Sequence, residues 1–172
     1  MASLMENLIT TLGSLCDEYD NLLGLSTQKT PAIISGNLEQ LSKITDEEQI
    51  VVSRINRLDH KRREVIHDIA NVVNRDVEDL KLKNIIQMLE PRPAEQQQLA
   101  EVYDRLGEAV RKVQRVNEQN KELITSALEM IEFDINMFQA MKAAPETANY
   151  NKGAYSTGNV IGVDRSGFDA KQ

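Results

Sequence analysis

Two histidines, His60 and His67, come nearest to a metal site by residue type and spacing. They stand two helical turns apart, with the carboxylates of Asp59, Glu64 and Asp68 beside them. Imidazole and carboxylate are both zinc ligands, but the closer His-Glu-x-x-His spacing of zinc peptidases is absent. We therefore interpret both histidines as part of an exposed helix surface and expect no metal and no cofactor.

Two charged clusters could also do chemistry. Asp17, Glu18 and Asp20 could supply paired carboxylates for acid–base catalysis, although a solvated helix face is the simpler interpretation. A basic run follows at Arg54, Arg57, Lys61, Arg62 and Arg63. This run could bind phosphate, but it lacks the interleaved aromatic residues of single-strand-binding surfaces. We interpret it as a charged flank that pairs with acidic helices, and we expect no catalytic residue and no enzymatic activity.

Charge and composition narrow the class of protein. The 172 residues carry 20 Lys and Arg against 27 Asp and Glu, a formal charge of -7, which disfavours nucleic acid as a partner. Hydrophobic residues make up 41% but aromatic residues only 4%, which is typical of helices that pack along aliphatic seams. The single Cys16 and the lack of any stretch of roughly 18 apolar residues predict a cytoplasmic protein without stable membrane insertion.

The first helix and its end are predicted from spacing. Apolar residues repeat at steps of three and four, which predicts a helix from about residue 3 to 29. Pro31 breaks this pattern. Gly36, Asn37 and Gln40 then have the order of a turn, an N-cap and a capping box, so we expect a second helix to begin there.

The second helix has the most regular pattern in the chain. Its heptad seam consists of Leu41, Ile44, Glu48, Val51, Ile55, Leu58, Arg62, Val65, Ile69 and Val72. Glu48 and Arg62 interrupt the apolar seam and lie roughly 21 Å apart along a helix, so they cannot pair with each other. We expect their partners on other helices or in water at the edge, and we expect the helix to end near Asn74.

A short helix is predicted before Pro91 and Pro93, and a long last helix begins at Ala94. The seam of the last helix consists of Leu99, Tyr103, Leu106, Val110, Val113, Asn117, Asn120, Ile124, Ala127, Ile131, Asp134, Phe138 and Met141. Asn117 and Asn120 interrupt it, and polar seam residues commonly fix register or partner number. We assign both a structural role.

These patterns predict an all-α fold. We expect an elongated antiparallel helical bundle, a coiled-coil-like hairpin of three long helices plus one short helix, over residues 1–142. Residues 143–172 contain half of the glycines, mixed with Ser and Asn, and are predicted to form a flexible polar tail.

Helix lengths also predict an uncovered end on the last helix. If the three long helices stack antiparallel, the second covers the last from Ala94 to about Met130. The overhang contains Met130, Ile131, Phe133, Ile135, Met137, Phe138 and Met141. Met-rich surfaces suit adaptable binding of partner helices, whereas the alternative is ordinary core covered by a homo-oligomer or by the short helix. Left bare, this segment would form a large apolar patch.

The order of features carries a family resemblance. The first helix has Glu18-Tyr19, Leu22-Leu23 and Lys29, and the turn has Ile33-Ile34 and Gly36-Asn37. The second helix has Leu41, Ile44, Glu48, Leu58 and Arg62. The last helix has Asn120, Leu123-Ile124 and Leu128, followed by a tail with Tyr150 and Gly153. This combination resembles the FlgN family of flagellar export chaperones over nearly the whole chain.

The resemblance implies a cytoplasmic, non-enzymatic chaperone of type III flagellar export. It would bind the C-terminal amphipathic helical segment of the hook–filament junction proteins FlgK and FlgL, prevent premature association and deliver them to the export gate or ATPase components. We assign substrate binding to the end of the last helix, at Ile124, Leu128, Ile131, Ile135, Met137, Phe138 and Met141. In similar chaperones a tail tyrosine docks on the export gate, which implies Tyr150, with Tyr155 second.

A different class of function stays open. A structural coiled-coil scaffold could assemble from copies of this chain, with Asn117 and Asn120 setting the register. A chaperone should form a small species of fixed size, either a monomer or a small homo-oligomer. The assemblies formed by a scaffold should grow in size as the protein concentration rises.

Overall fold

Four helices make up the described part of the chain. The computed structural model describes residues 2–78 and 80–143, and no strand occurs among them. The helices are α1 (Ala2–Ser35), α2 (Leu38–Val73), α3 (Leu82–Met88) and α4 (Pro93–Ala143). The predicted all-α bundle of three long helices and one short helix is therefore confirmed. The predicted tail, 143–172, lies outside the described residues apart from its first position.

The chain divides into two compact units, Met1–Ile131 and Glu132–Gln172. All of α1, α2 and α3 belongs to the first unit, and α4 supplies residues to both. Of the second unit, the structure describes the helical residues 132–143.

Helix α1 continues through Pro31, so the prediction that the helix ends near Lys29 was wrong. A proline inside a helix removes one hydrogen bond and costs about 3 kcal/mol. The two residues that follow it, Ala32 and Ile33, are only 1% and 8% exposed. Burying an Ile side chain contributes about 1.5–3 kcal/mol, so the core contacts of the last turn offset the cost of the proline.

The turn between α1 and α2 is a C-cap followed directly by an N-cap. Gly36 has a left-handed φ of 65°, and its N–H donates to the Ile33 carbonyl at 3.1 Å. The Asn37 N–H donates to the Ala32 carbonyl at 3.0 Å, which completes a Schellman motif. The Asn37 side-chain oxygen accepts from the Gln40 N–H at 3.0 Å, so Asn37 caps α2 as the sequence predicts.

Gly36→Ala should lower the free energy of unfolding by about 1 kcal/mol, because a Cβ disfavours the left-handed conformation. The matched control is Gly13→Ala inside α1, where an added Cβ would meet nothing within 4 Å and should stabilise by about 0.5–1 kcal/mol. Urea denaturation of both variants measures the difference. Equal stability of Gly36→Ala and the unaltered protein would contradict the C-cap assignment.

Side-chain contacts show that α1 and α2 run antiparallel. Ser26 and Lys29, late in α1, contact Glu48 early in α2. Glu18, earlier in α1, pairs with Arg54 later in α2 at 3.3 Å. Residue numbers therefore rise along one helix as they fall along the other.

Within the first unit, α4 runs parallel to α1. The Cys16 thiol donates to the Val102 carbonyl at 3.8 Å, and further along both helices Asn120 donates to the Ser26 carbonyl at 2.7 Å. Since α2 is antiparallel to α1, it is also antiparallel to α4. These directions agree with the antiparallel stacking that the helix-length argument assumes.

The core of the first unit draws on all four helices. Its least exposed side chains include Leu8, Leu12, Ile69, Ile85 and Leu99. The short helix α3 contributes Ile85 and is held at the start of α4, where the Gln96 side chain donates to the Ile86 carbonyl at 3.0 Å. In the first unit, α3 therefore packs at the start of α4. None of the helices in the described residues is long and apolar enough to cross a membrane.

Candidate functional site

The exposure of α4 changes sharply along its length. Leu99, Ala109, Val113 and Asn120 are each 5% exposed or less. From Ile124 to the end of the helix, every residue is exposed. The covered part of α4 therefore ends close to Asn120, about ten residues before Met130, where helix lengths predict its end.

A buried polar contact marks this transition. Asn120 is 3% exposed; its side-chain N–H donates to the Ser26 carbonyl at 2.7 Å and its oxygen accepts from the Thr30 hydroxyl at 2.7 Å. Both contacts form only in this alignment of the two helices, so they fix the register of α4 on α1. The predicted structural role of Asn120 agrees with these contacts, whereas Asn117 is exposed.

The two charged interruptions of the α2 seam have different partners. Glu48 accepts from Lys29 at 2.9 Å and from the Ser26 hydroxyl at 3.0 Å, so its partners lie on another helix as predicted. Arg62 instead lies 2.7 Å from Asp59 of α2 itself, so the expectation of a partner elsewhere or in water was wrong. The spacing of three residues places Arg62 and Asp59 on one helix face.

A groove of about 360 Å³ opens beside the Lys29–Glu48 pair. Its lining residues are Leu22, Lys29, Glu48, Val52, Asn117, Asn120, Lys121, Ile124 and Thr125. The groove mixes an apolar wall with charged and amide side chains. Ile124 belongs both to this groove and to the exposed part of α4, so the groove lies where the covered part of the helix ends.

Large apolar side chains remain exposed beyond the groove. In the first unit they are Ile124, Leu128, Met130 and Ile131, and in the helical part of the second they are Phe133, Ile135, Met137, Phe138 and Met141. Their exposure ranges from 36% to 69%, which is unusual for so many large apolar residues on one helix of a monomer. All seven residues predicted to bind substrate lie in this set, which we call the exposed apolar surface. Tyr150 and Tyr155 lie outside the described residues.

The residues predicted to bind substrate do not include Met130 and Phe133, although both side chains are at least 65% exposed. The signal that could have found them is their spacing to Met137, at steps of three and four residues.

The charged clusters that could have done chemistry form ion pairs. Arg105 lies 2.8 Å from Asp17 and 3.2 Å from Asp20, and Arg54 lies 3.3 Å from Glu18. The acidic cluster therefore pairs with basic residues of both neighbouring helices. The basic run was interpreted as a flank that pairs with acidic helices, and Arg54 does so through Glu18. The acidic cluster was interpreted as a solvated helix face; Asp17 and Asp20 are more than half exposed but share an ion-pair partner.

Asp59 lies beside the basic run. Its carboxylate forms ion pairs with both Arg62 and Arg63. Burial alone would raise the pKa of Asp59, but hydrogen bonds and charge from Arg62 and Arg63 outweigh it and hold that pKa below its ordinary value. The Asp59 carboxylate thus partly neutralises the charges of Arg62 and Arg63 on the same helix.

The two histidines make local contacts on α2. His60 lies 3.4 Å from Glu64, and His67 lies 3.1 Å from the Asn71 side chain. Across residues 2–78 and 80–143, no three or more His, Cys, Asp or Glu side chains converge in a way that could hold a metal ion.

Cys16 is fully buried between α1 and α4. Burial raises the pKa of its thiol above the ordinary value, and the nearby Arg105 opposes that shift only in part. The thiolate is the reactive form of cysteine, so this residue should be inert in the folded protein.

Alkylation of Cys16 should be slow in the native protein and fast in urea, as measured with a thiol-specific reagent. Because the unfolded chain loses the thiol proton at lower pH than the folded one, the free energy of unfolding should fall as pH rises through the ordinary cysteine pKa of about 8.5 and above it. Cys16→Ala should show a smaller fall over that range. Equally fast alkylation of native and unfolded protein would contradict the burial of this residue.

The structure defines an all-α helical-bundle protein with exposed apolar side chains on its last helix. Comparison with known proteins makes this specific: a family model described as "FlgN protein" matches residues 1–157. The chain belongs to the FlgN family, a family of flagellar chaperones, which confirms the resemblance. The Bacillus subtilis (strain 168) protein named "Uncharacterized protein YvyG" is 24% identical over 144 residues, covering 84% of this chain and 83% of that protein. No solved structure gives a significant match.

Proposed function

We propose that the protein is a cytoplasmic, non-enzymatic chaperone of type III flagellar export. It binds the C-terminal amphipathic helical segment of the hook–filament junction proteins FlgK and FlgL, prevents their premature association and delivers them to the export gate. Membership of the FlgN family supports the flagellar role. The observation that carries the binding role is the exposed apolar surface of α4, which begins where α1 and α2 stop covering that helix.

The binding residues are proposed from their exposure and spacing. Ile124, Leu128, Ile131, Ile135 and Phe138 follow one another at alternating steps of four and three residues. Such a seam packs against an amphipathic partner helix in the manner of a coiled coil. Met137 and Met141 add unbranched side chains that can adapt to different clients.

The affinity expected of such a surface suits a transport chaperone. An interface of about 1,000–2,000 Å² is a usual size for a specific complex, and ordering a flexible client segment lowers the net binding free energy. Dissociation constants from submicromolar to micromolar follow, which protect a client and still allow its release.

Docking on the export gate or ATPase components is assigned to the C-terminal tail. The family resemblance favours Tyr150, with Tyr155 as the second candidate. A Tyr150→Ala variant should keep its affinity for FlgK and lose its affinity for the export gate.

The alternative function, a self-assembling scaffold, loses part of its support. It required Asn117 and Asn120 to set the register between chains. Asn120 uses its donor and its acceptor on Ser26 and Thr30 of its own chain. Light scattering over a concentration series tests this directly: a scaffold grows with concentration and a chaperone does not.

The proposed function is tested by calorimetric titration with purified FlgK from the same organism. We expect saturable one-to-one binding with a dissociation constant of about 1 µM or below. FlgK that lacks its C-terminal helical segment is the matched control and should not bind. Equal binding of the shortened FlgK, or no binding of intact FlgK, would contradict the proposal.

A further inference from the structure

The exposed apolar residues of α4 lie on two faces of the helix. Successive residues turn by about 100° around a helix axis. Among the described residues of the second unit, Ile135 and Phe138 lie within about 60° of each other. Phe133, Met137 and Met141 follow one another at four-residue steps on a face centred roughly 130° away.

The apolar arc is wider than one partner helix needs. An amphipathic helix that packs on one neighbour has an apolar stripe somewhat over 100° wide. The five residues from Phe133 to Met141 span about 200°, and each of them is 48–65% exposed. A single bound helix would cover one face and leave the other in water.

The sequence before residue 132 repeats the same three- and four-residue steps. The first seam is Ile124, Leu128, Ile131, Ile135 and Phe138. The second seam is Met130, Phe133, Met137 and Met141. A helix with two such seams is typical of a position between two neighbouring helices.

The charges of this segment disfavour a second copy of the chain as occupant. From Ile124 to Ala143 the charged residues are Glu129, Glu132, Asp134 and Lys142, all exposed. Two acidic copies would bring like charges together, in a chain whose formal charge is -7. A partner with Lys or Arg beside its apolar face complements them.

We propose that the end of α4 binds two amphipathic helices of one client molecule at the same time, one on each seam. Each client helix carries basic residues beside its apolar face. This inference rests on the proposed chaperone function and specifies its client. The client segment has two helices, and its basic residues complement the acidic residues at the end of α4.

Two double variants test the seams separately, with Gln chosen because it is a good helix former. The first-seam variant is Ile135→Gln with Phe138→Gln, and the second-seam variant is Phe133→Gln with Met137→Gln. Titrated with intact FlgK, each should bind at least about tenfold more weakly than the unaltered protein. A peptide of the single C-terminal FlgK helix should respond to only one of the two variants.

A separate pair of variants tests whether the acidic residues at the end of α4 contribute to client binding. Glu132→Gln with Asp134→Asn should weaken FlgK binding about threefold at low salt and reduce its salt dependence. Glu122→Gln, which removes one exposed carboxylate before the exposed apolar surface begins, is the control and should change neither.

The outcomes separate this inference from the function on which it rests. FlgK binding that is lost in the first-seam variant but unchanged in the second-seam variant would overturn the two-helix client and leave the chaperone function intact. A second-seam variant that turns a dimer into a monomer in light scattering, with unchanged FlgK affinity, would overturn it in favour of a second copy. Failure of FlgK to bind the unaltered protein would overturn the proposed function itself.

Discussion

Phe138→Asp is expected to weaken FlgK binding about a hundredfold and to leave the helix content unchanged. Phe138 is 63% exposed on α4, so the substitution removes no core contact. In the proposed complex, the aromatic side chain would become a buried anchor of the kind that dominates interface energetics. Its loss, together with the burial of an unpaired carboxylate, accounts for about 2.7 kcal/mol, which corresponds to that hundredfold change.

Asn136→Asp is the matched control for Phe138→Asp. It adds the same charge to the same exposed helix, on the polar side at about 160° from Phe138, and should change FlgK affinity by no more than about twofold. Calorimetry gives the affinities and circular dichroism gives the helix content. A large loss of helicity in Phe138→Asp would show that this residue packs in a core, and equal losses of affinity in both variants would show that charge alone is responsible.

Leu12→Ala is expected to lower the free energy of unfolding by about 2–5 kcal/mol, because truncating a buried Leu loses transfer free energy and leaves a cavity. Leu12 is 0% exposed in the core of the first unit. Leu128→Ala makes the same chemical change at a side chain that is 61% exposed. It should change stability by no more than about 0.5 kcal/mol while weakening FlgK binding.

Urea denaturation of the two Leu variants, with FlgK titration of Leu128→Ala, measures this contrast. The comparison separates residues that stabilise the bundle from residues that are available to a client. A loss of stability in Leu128→Ala as large as that in Leu12→Ala would show that a neighbour covers the end of α4 in the free protein.

Local patterns predicted most of the fold. The heptad seams, the cap at Asn37 and the α2 end near Asn74 all depend on residues close in sequence, whose spacing is visible without tertiary structure. Helix lengths alone predicted an uncovered end of α4, although they placed its start about ten residues too late. Such a prediction requires only the rise per residue of a helix and the direction in which each helix runs.

The errors arose where tertiary contacts decide the outcome. Pro31 is a helix breaker by its own chemistry, and only the burial of Ala32 and Ile33 explains why α1 continues. Likewise, spacing could not choose between Asn117 and Asn120, because the choice depends on which of them lies against Ser26. The spacing of the second seam is visible in the sequence. Only the exposure of its side chains shows that this seam is not ordinary core.

We propose above that the client binds at the end of α4. Hydrogen–deuterium exchange of the protein with and without purified FlgK tests it most directly, because it reports protection segment by segment. We expect slower exchange in peptides covering residues 124–143 and unchanged exchange in the middle of α1 and α2. Binding of FlgK with protection confined to α1 and α2, and none in residues 124–143, would contradict it.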